Sequence, residues 1–112
     1  MKTEVRHQGG ATVIAVSESV DALTAPELTN LLNDQIAGGH CNLIVDLTGV
    51  QFMSSAGLRT LLGAVKESRT HGGDLRLAST NPGIDKVLKM SGFNNIAKVF
   101  ASSGDALGSF AS

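Results

Sequence analysis

Tryptophan and tyrosine are absent from these 112 residues and phenylalanine occurs four times. Any core must therefore be built mainly from Leu, Ile, Val and Ala. Cysteine occurs once, as Cys41, which excludes an internal disulfide and favours a reducing compartment. No apolar run approaches the roughly 20 residues of a membrane span. The opening Met1-Lys2-Thr3-Glu4 lacks the apolar segment of a secretory signal. A cytoplasmic protein without direct membrane insertion is expected. Clustered basic residues are missing too: Lys and Arg are scattered singly and the formal net charge is −1. Nucleic-acid binders usually present a basic face, so no nucleic-acid partner is expected.

What is present is enough for one compact domain spanning 1–112, because a hydrophobic share of 42% supports a core. Charge is uneven, with two basic and six acidic residues in 1–56 against seven and four in 57–112. In a small domain the halves interleave, so this asymmetry names no partner. His7, His40 and His71 are isolated along the chain, and His40-Cys41 are adjacent, without zinc-ligand spacing. No G-x-S-x-G elbow or Walker loop occurs, and Gly72-Gly73 reads as a helix stop. No metal, cofactor or catalytic residue is predicted, and an enzyme is not expected.

Val5–His7 and Ala11–Val16 read as antiparallel strands joined at Gln8-Gly9-Gly10. Thr24 and Glu27 form the pattern of a capping box, with Pro26 in the first turn. Leu28, Leu31, Leu32 and Ile36 then recur at helical spacing until Gly38-Gly39. Leu43-Ile44-Val45 is a strand covered on both faces. Leu58, Leu61, Leu62 and Val65 mark a second helix, and 74–79 a further strand. Asn81-Pro82 opens a third helix carrying Ile84, Val87 and Leu88. A last short strand over 96–100 precedes a helix capped at Ser102 or Asp105, carrying Leu107 and Phe110. The order is ββαβαβαβα: an α/β domain with a mainly parallel sheet and an antiparallel N-terminal edge strand.

Sites in open α/β sheets gather at the carboxyl ends of strands. Here the segment after Asp46 ends in two hydroxyls, Ser54 and Ser55, at a predicted helix start. Either serves as an N-cap. Free N–H groups and a positive dipole end also suit that position to a phosphate.

The stretch Asp46-Leu47-Thr48-Gly49-Val50-Gln51-Phe52-Met53-Ser54-Ser55-Ala56-Gly57-Leu58 resembles the signature of STAS-domain anti-sigma factor antagonists. Val20-Asp21-Ala22-Leu23-Thr24-Ala25 is similar to that family's turn before its first helix. Met90-Ser91-Gly92-Phe93 with Val99-Phe100 is similar to its ending. The family's usual Asp before the acceptor serine is Ser54 here, as in an S-S-A-G-L subgroup. The family's Gly before the turn at Asp21 is absent, with Glu18 and Ser19 in its place.

The resemblance implies a single STAS domain that acts by partner switching. Its unmodified form would bind an anti-sigma factor that is also a serine kinase of the histidine-kinase-like ATPase fold. Phosphorylation would release it, and a PP2C-type serine phosphatase would restore binding. ATP and magnesium would belong to the kinase, and this chain would need no cofactor. The acceptor falls on Ser55, with Ser54 as second choice. Asp21, Ser54, Ser55, Ala56, Gly57 and Arg59 are the implied partner-binding positions. Arg59, one turn beyond Ser55, would pair with the phosphate or meet an acidic partner, or stay a solvated helix Arg. Asp21 would contact the partner or cap its turn, and Asp46 would hold the Ser54-Ser55 loop. The alternative job for the same fold is a STAS subunit of a membrane transporter, for example in phospholipid trafficking.

Overall fold

Period-two and helical spacing translate into five strands and four α-helices among the described residues, which in the computed structural model are 2–79 and 81–110. The chain runs β1 (Thr3–Gln8), β2 (Ala11–Val16), α1 (Ala25–Ala37), β3 (Asn42–Asp46) and α2 (Ser55–Thr70). It continues through β4 (Asp74–Ala78), α3 (Pro82–Met90), β5 (Val99–Phe100) and α4 (Ser103–Phe110). Sheet order follows chain order, β1-β2-β3-β4-β5. β1 is antiparallel to β2 and every other pairing is parallel. Gly9, at φ +60°, supplies the left-handed residue of the β1–β2 turn.

Alternation along the strands splits the core. Ile14, Leu43, Val45, Leu75 and Leu77 face α1, α2 and α3, where Leu28, Leu32, Leu61, Ile84 and Leu88 complete the larger cluster. Val13, Ile44 and Ala78 face the other way, toward α4 and Ala106. Arg76 shares that second face. Its guanidinium lies 3.9 Å above the Phe110 ring centroid, donates to Ser109 Oγ at 2.6 Å and pairs with Asp74 at 3.2 Å. A charged strand residue is tolerated there because each of those contacts meets part of its donor set or its planar face.

Two expectations need correction. Thr24 stands at the N-cap position of α1, yet its side chain caps no helix N–H. Its backbone is already helical (φ −96°, ψ −21°), whereas a capping side chain needs an extended residue. Asp21 takes over, its carboxylate accepting from the N–H groups of Leu23 at 2.9 Å and Thr24 at 3.1 Å. The last strand is also shorter than 96–100. Ile96 instead closes a 3₁₀ turn over Phe93–Asn95, leaving Val99 and Phe100 to pair with β4.

Ser54, Asn81 and Ser102 do cap α2, α3 and α4, accepting from Gly57 N–H, Gly83 N–H and Asp105 N–H. Asn81 has a second task, donating from Nδ2 to the Val50 carbonyl at 2.6 Å. Asn81→Ala is therefore expected to cost about 1–2 kcal/mol in urea unfolding, since a cap and a loop tie are lost together. A cost indistinguishable from zero would show that water replaces both bonds.

Candidate functional site

Three loops leave the carboxyl ends of the parallel strands and are knitted into one surface. After β2, Val20 forms an isolated parallel bridge with Met53. Val20 N–H donates to the Phe52 carbonyl at 2.9 Å, and Ser54 N–H to the Val20 carbonyl at 2.8 Å. After β3, Leu47 N–H donates to the Ala78 carbonyl at 2.7 Å, and Asn81 clips Val50 from the β4 side. The bridge sets the Asp21 turn beside the start of α2, so two motifs more than 30 residues apart share one rim.

The two serines have different surroundings. Ser54 is half-buried and extended (φ −85°, ψ 173°), with its Oγ receiving Gly57 N–H at 3.4 Å. Ser55 is the first residue of α2 and is exposed. Ala56 is half-buried against the core, and Arg59 is exposed one turn on. Gly57 is buried beneath the rim. A Cβ there would lie 2.9 Å from both Met53 Cγ and Val20 Cγ1. Its contribution is close packing under the surface.

Asp46 holds a different part of the loop than expected. Its carboxylate accepts from Thr48 N–H at 3.0 Å and Thr48 Oγ1 at 2.8 Å. It shapes the exit from β3 and does not reach the Ser54-Ser55 end, because the two-residue Asx turn uses it locally.

Sequence reasoning passed over two rim residues. Leu23 is 85% exposed and Phe52 is 56% exposed, next to Asp21 and Met53. Both fall outside any helical or alternating apolar face, and that was the available signal. Large apolar side chains held in water beside a polar helix start form a surface suited to protein contact. Between α1 and α2, adjoining the rim at Arg59, runs an open groove of about 370 Å³ lined by Thr29, Asn33, Thr60, Gly63 and Glu67. A bond of 2.9 Å between the Thr29 and Thr60 hydroxyls ties the two helices along it.

The Asp21 carboxyl is held below the usual carboxylate range, first by Thr24 N–H and then by Leu23 N–H. A depressed folded value means that its stabilisation is present above the unfolded value of about 3.9 and lost as pH falls through the folded one. Asp21→Asn keeps an acceptor oxygen but cannot titrate. The stability gap between wild type and Asp21→Asn is expected to stay constant above pH 5 and to narrow in more acid solution. A gap that ignores pH in thermal unfolding would refute this role.

At the opposite pole, the histidines that are isolated in sequence meet in space. His7, His40 and His71 line one cavity of about 370 Å³, with the His7 and His40 rings stacked at 4.2 Å. Among the described residues, no three His, Cys, Asp or Glu side chains are grouped to hold a metal ion. No helix of the described residues is long and apolar enough to cross a membrane.

Residues 2–106 match the model of the STAS domain. An anti-sigma F factor antagonist of Paenibacillus polymyxa is 27% identical over 96% of this chain and 92% of its own length. The crystal structure of an anti-sigma factor antagonist from Mycobacterium paratuberculosis superposes with a TM-score of 0.89 at 25% identity. It spans 96% of this chain and 92% of that one. The Bacillus cell fate determinant SpoIIAA, solved in its phosphorylated form, shares the fold, with a TM-score of 0.75 at 20% identity over 97% and 99% of the two chains. The domain match over nearly the whole chain and the near-complete coverage of these relatives agree, and this chain belongs to the STAS-domain anti-sigma factor antagonist family.

Proposed function

We propose that this protein antagonises an anti-sigma factor by partner switching, with Ser55 as the phosphate acceptor. The observation that carries the assignment is the contrast between the serines: Ser54 Oγ is committed to capping α2, while Ser55 is exposed on the same rim. A kinase needs a hydroxyl it can reach, and modification of Ser54 would disturb the helix start. In its unmodified state the rim of Asp21, Leu23, Phe52, Ser55 and Ala56 docks on an anti-sigma factor of the histidine-kinase-like ATPase fold. That partner brings the ATP and magnesium. This chain is the substrate and performs no catalysis. Arg59, on the exposed side of α2, meets either the phosphate or an acidic patch of the partner. A PP2C-type serine phosphatase removes the phosphate and resets the switch.

The test is to incubate the full chain with its anti-sigma factor and ATP, then map phosphate by mass spectrometry. Modification of Ser55, abolished by Ser55→Ala and preserved in Ser54→Ala, is the expected result. Phosphate on Ser54 alone overturns the site, and no phosphate on either serine overturns the switch.

A further inference from the structure

We propose that the chain forms a two-fold dimer by pairing β1 antiparallel with β1 of a second copy, centred on Val5. This inference is independent of the switch at Ser55. It rests on the outer side of the sheet's first strand.

β1 is a six-residue edge strand in which every residue except the half-buried Val5 is exposed. The direction of its free backbone groups follows from one bond. Lys2 and Ser17 lie opposite one another in the β1–β2 register, and Ser17 N–H donates to the Lys2 carbonyl at 3.0 Å. Even-numbered residues of β1 therefore turn their N–H and C=O groups toward β2, because hydrogen-bonded and non-bonded pairs alternate in an antiparallel ladder. Thr3, Val5 and His7 turn theirs outward, to the free edge.

Symmetry limits how two such edges can meet. An antiparallel pairing of identical strands places its two-fold axis normal to the sheet, so faces are preserved and opposed residues share the same parity. For most of the strand to pair, the axis must then pass beside Glu4, Val5 or Arg6. Centred on Glu4, that residue opposes its own copy and Arg6 opposes Lys2. Centred on Arg6, two guanidinium groups face each other. Centred on Val5, Glu4 opposes Arg6 of the second copy and Arg6 opposes its Glu4.

The Val5 register also satisfies the backbone best. Thr3 then bonds with His7 of the second copy, His7 with its Thr3, and Val5 with Val5, so each outward-facing residue finds a partner. The Glu4–Arg6 pairs fall at non-bonded positions, where opposed side chains approach most closely. Val5, packed at the margin of the larger core cluster, meets its counterpart on the apolar face. Charges on an edge usually deter pairing; here they disfavour the registers centred on Glu4 and Arg6 and favour the one centred on Val5, which also pairs more of the strand than a register centred on Thr3 or His7. The other edge, β5, pairs over two residues only, so the assembly closes as a dimer and does not propagate.

An interface of one short strand pair is small, and the dimer is expected to be weak, forming between micromolar and millimolar concentrations. Sedimentation equilibrium of the full chain tests it. Glu4→Arg, which sets like charges opposite at two symmetric places, should weaken dimerisation by about tenfold or more. The double exchange Glu4→Arg with Arg6→Glu should restore it. Amide exchange on the wild-type chain gives a reading that no folding defect can obscure. The N–H groups of Thr3, Val5 and His7 should gain protection as concentration rises, while those of Glu4, Arg6 and Gln8 are protected throughout. A chain that stays monomeric at millimolar concentration overturns the proposal. So does a dimer indifferent to the charge exchange, or protection of the outward amides that ignores concentration.

Discussion

Phosphorylated on Ser55, the protein is expected to bind its anti-sigma factor several hundred-fold more weakly than the unmodified form. The phosphate adds about −1.5 to −2 charges at pH 7 to an exposed position beside the apolar side chains of Leu23 and Phe52. Against an acidic patch of the partner, one like-charge contact at about 4 Å, at an effective dielectric near 20, costs about 4 kcal/mol. At about 1.4 kcal/mol per tenfold, that is close to three decades in the dissociation constant. The fold itself should hardly respond. Ser55 is the first residue of α2, where free N–H groups and the helix dipole favour an anion. Calorimetric titration of both forms against the partner, with thermal unfolding of both, separates these expectations. Equal affinities would refute the electrostatic switch. A large fall in melting temperature on phosphorylation would instead point to release by local unfolding.

Gly57→Val should destabilise the protein by about 3 kcal/mol, while Gly63→Ala, on the same helix, should stabilise it by about 0.5–1 kcal/mol. The opposite signs have one cause. A Cβ at 57 would lie 2.9 Å from Met53 Cγ and Val20 Cγ1 and 3.2 Å from Val20 Cβ. Val20 and Met53 are buried and form the bridge that seats the Asp21 turn against α2, so neither can retreat cheaply. At 63 nothing lies within 4 Å of the added carbon, and only the helix-propensity gain of Ala over Gly remains. Urea unfolding of the two variants checks the pair. Gly57→Val should also lose partner affinity, because the two halves of the rim are pushed apart. A Gly57→Val protein as stable as wild type would mean that the bridge yields without cost.

The contrast between those glycines marks where reading the sequence stops. Both are a Gly within a helix-forming run, and spacing assigns both to α2 equally well. Only the packing of Val20, from a loop more than 30 residues earlier, together with Met53 held against it, separates a position that must lack a side chain from one that merely does. Leu23 and Phe52 show the same limit. Their hydrophobicity argues for burial, but the Val20–Met53 bridge fixes the backbone on either side and holds them in water.

The order of elements, most core positions and the cap at Asn81 are written in the sequence, which also narrows the caps of α2 and α4 to two residues each. Each depends on interactions spanning one strand repeat or one helical turn, and spacing records those directly. The resemblance carried in 46–58 also points to Ser55. Tertiary structure decided the rest: that Ser54 is committed while Ser55 is reachable, and that Asp21 rather than Thr24 caps its turn. It also brought His7, His40 and His71 to one pole and left the odd-numbered residues of β1 facing outward. Each of these depends on which strand or loop lies alongside. Pairings between distant segments are selected by the packing of the whole domain, and no local spacing encodes them.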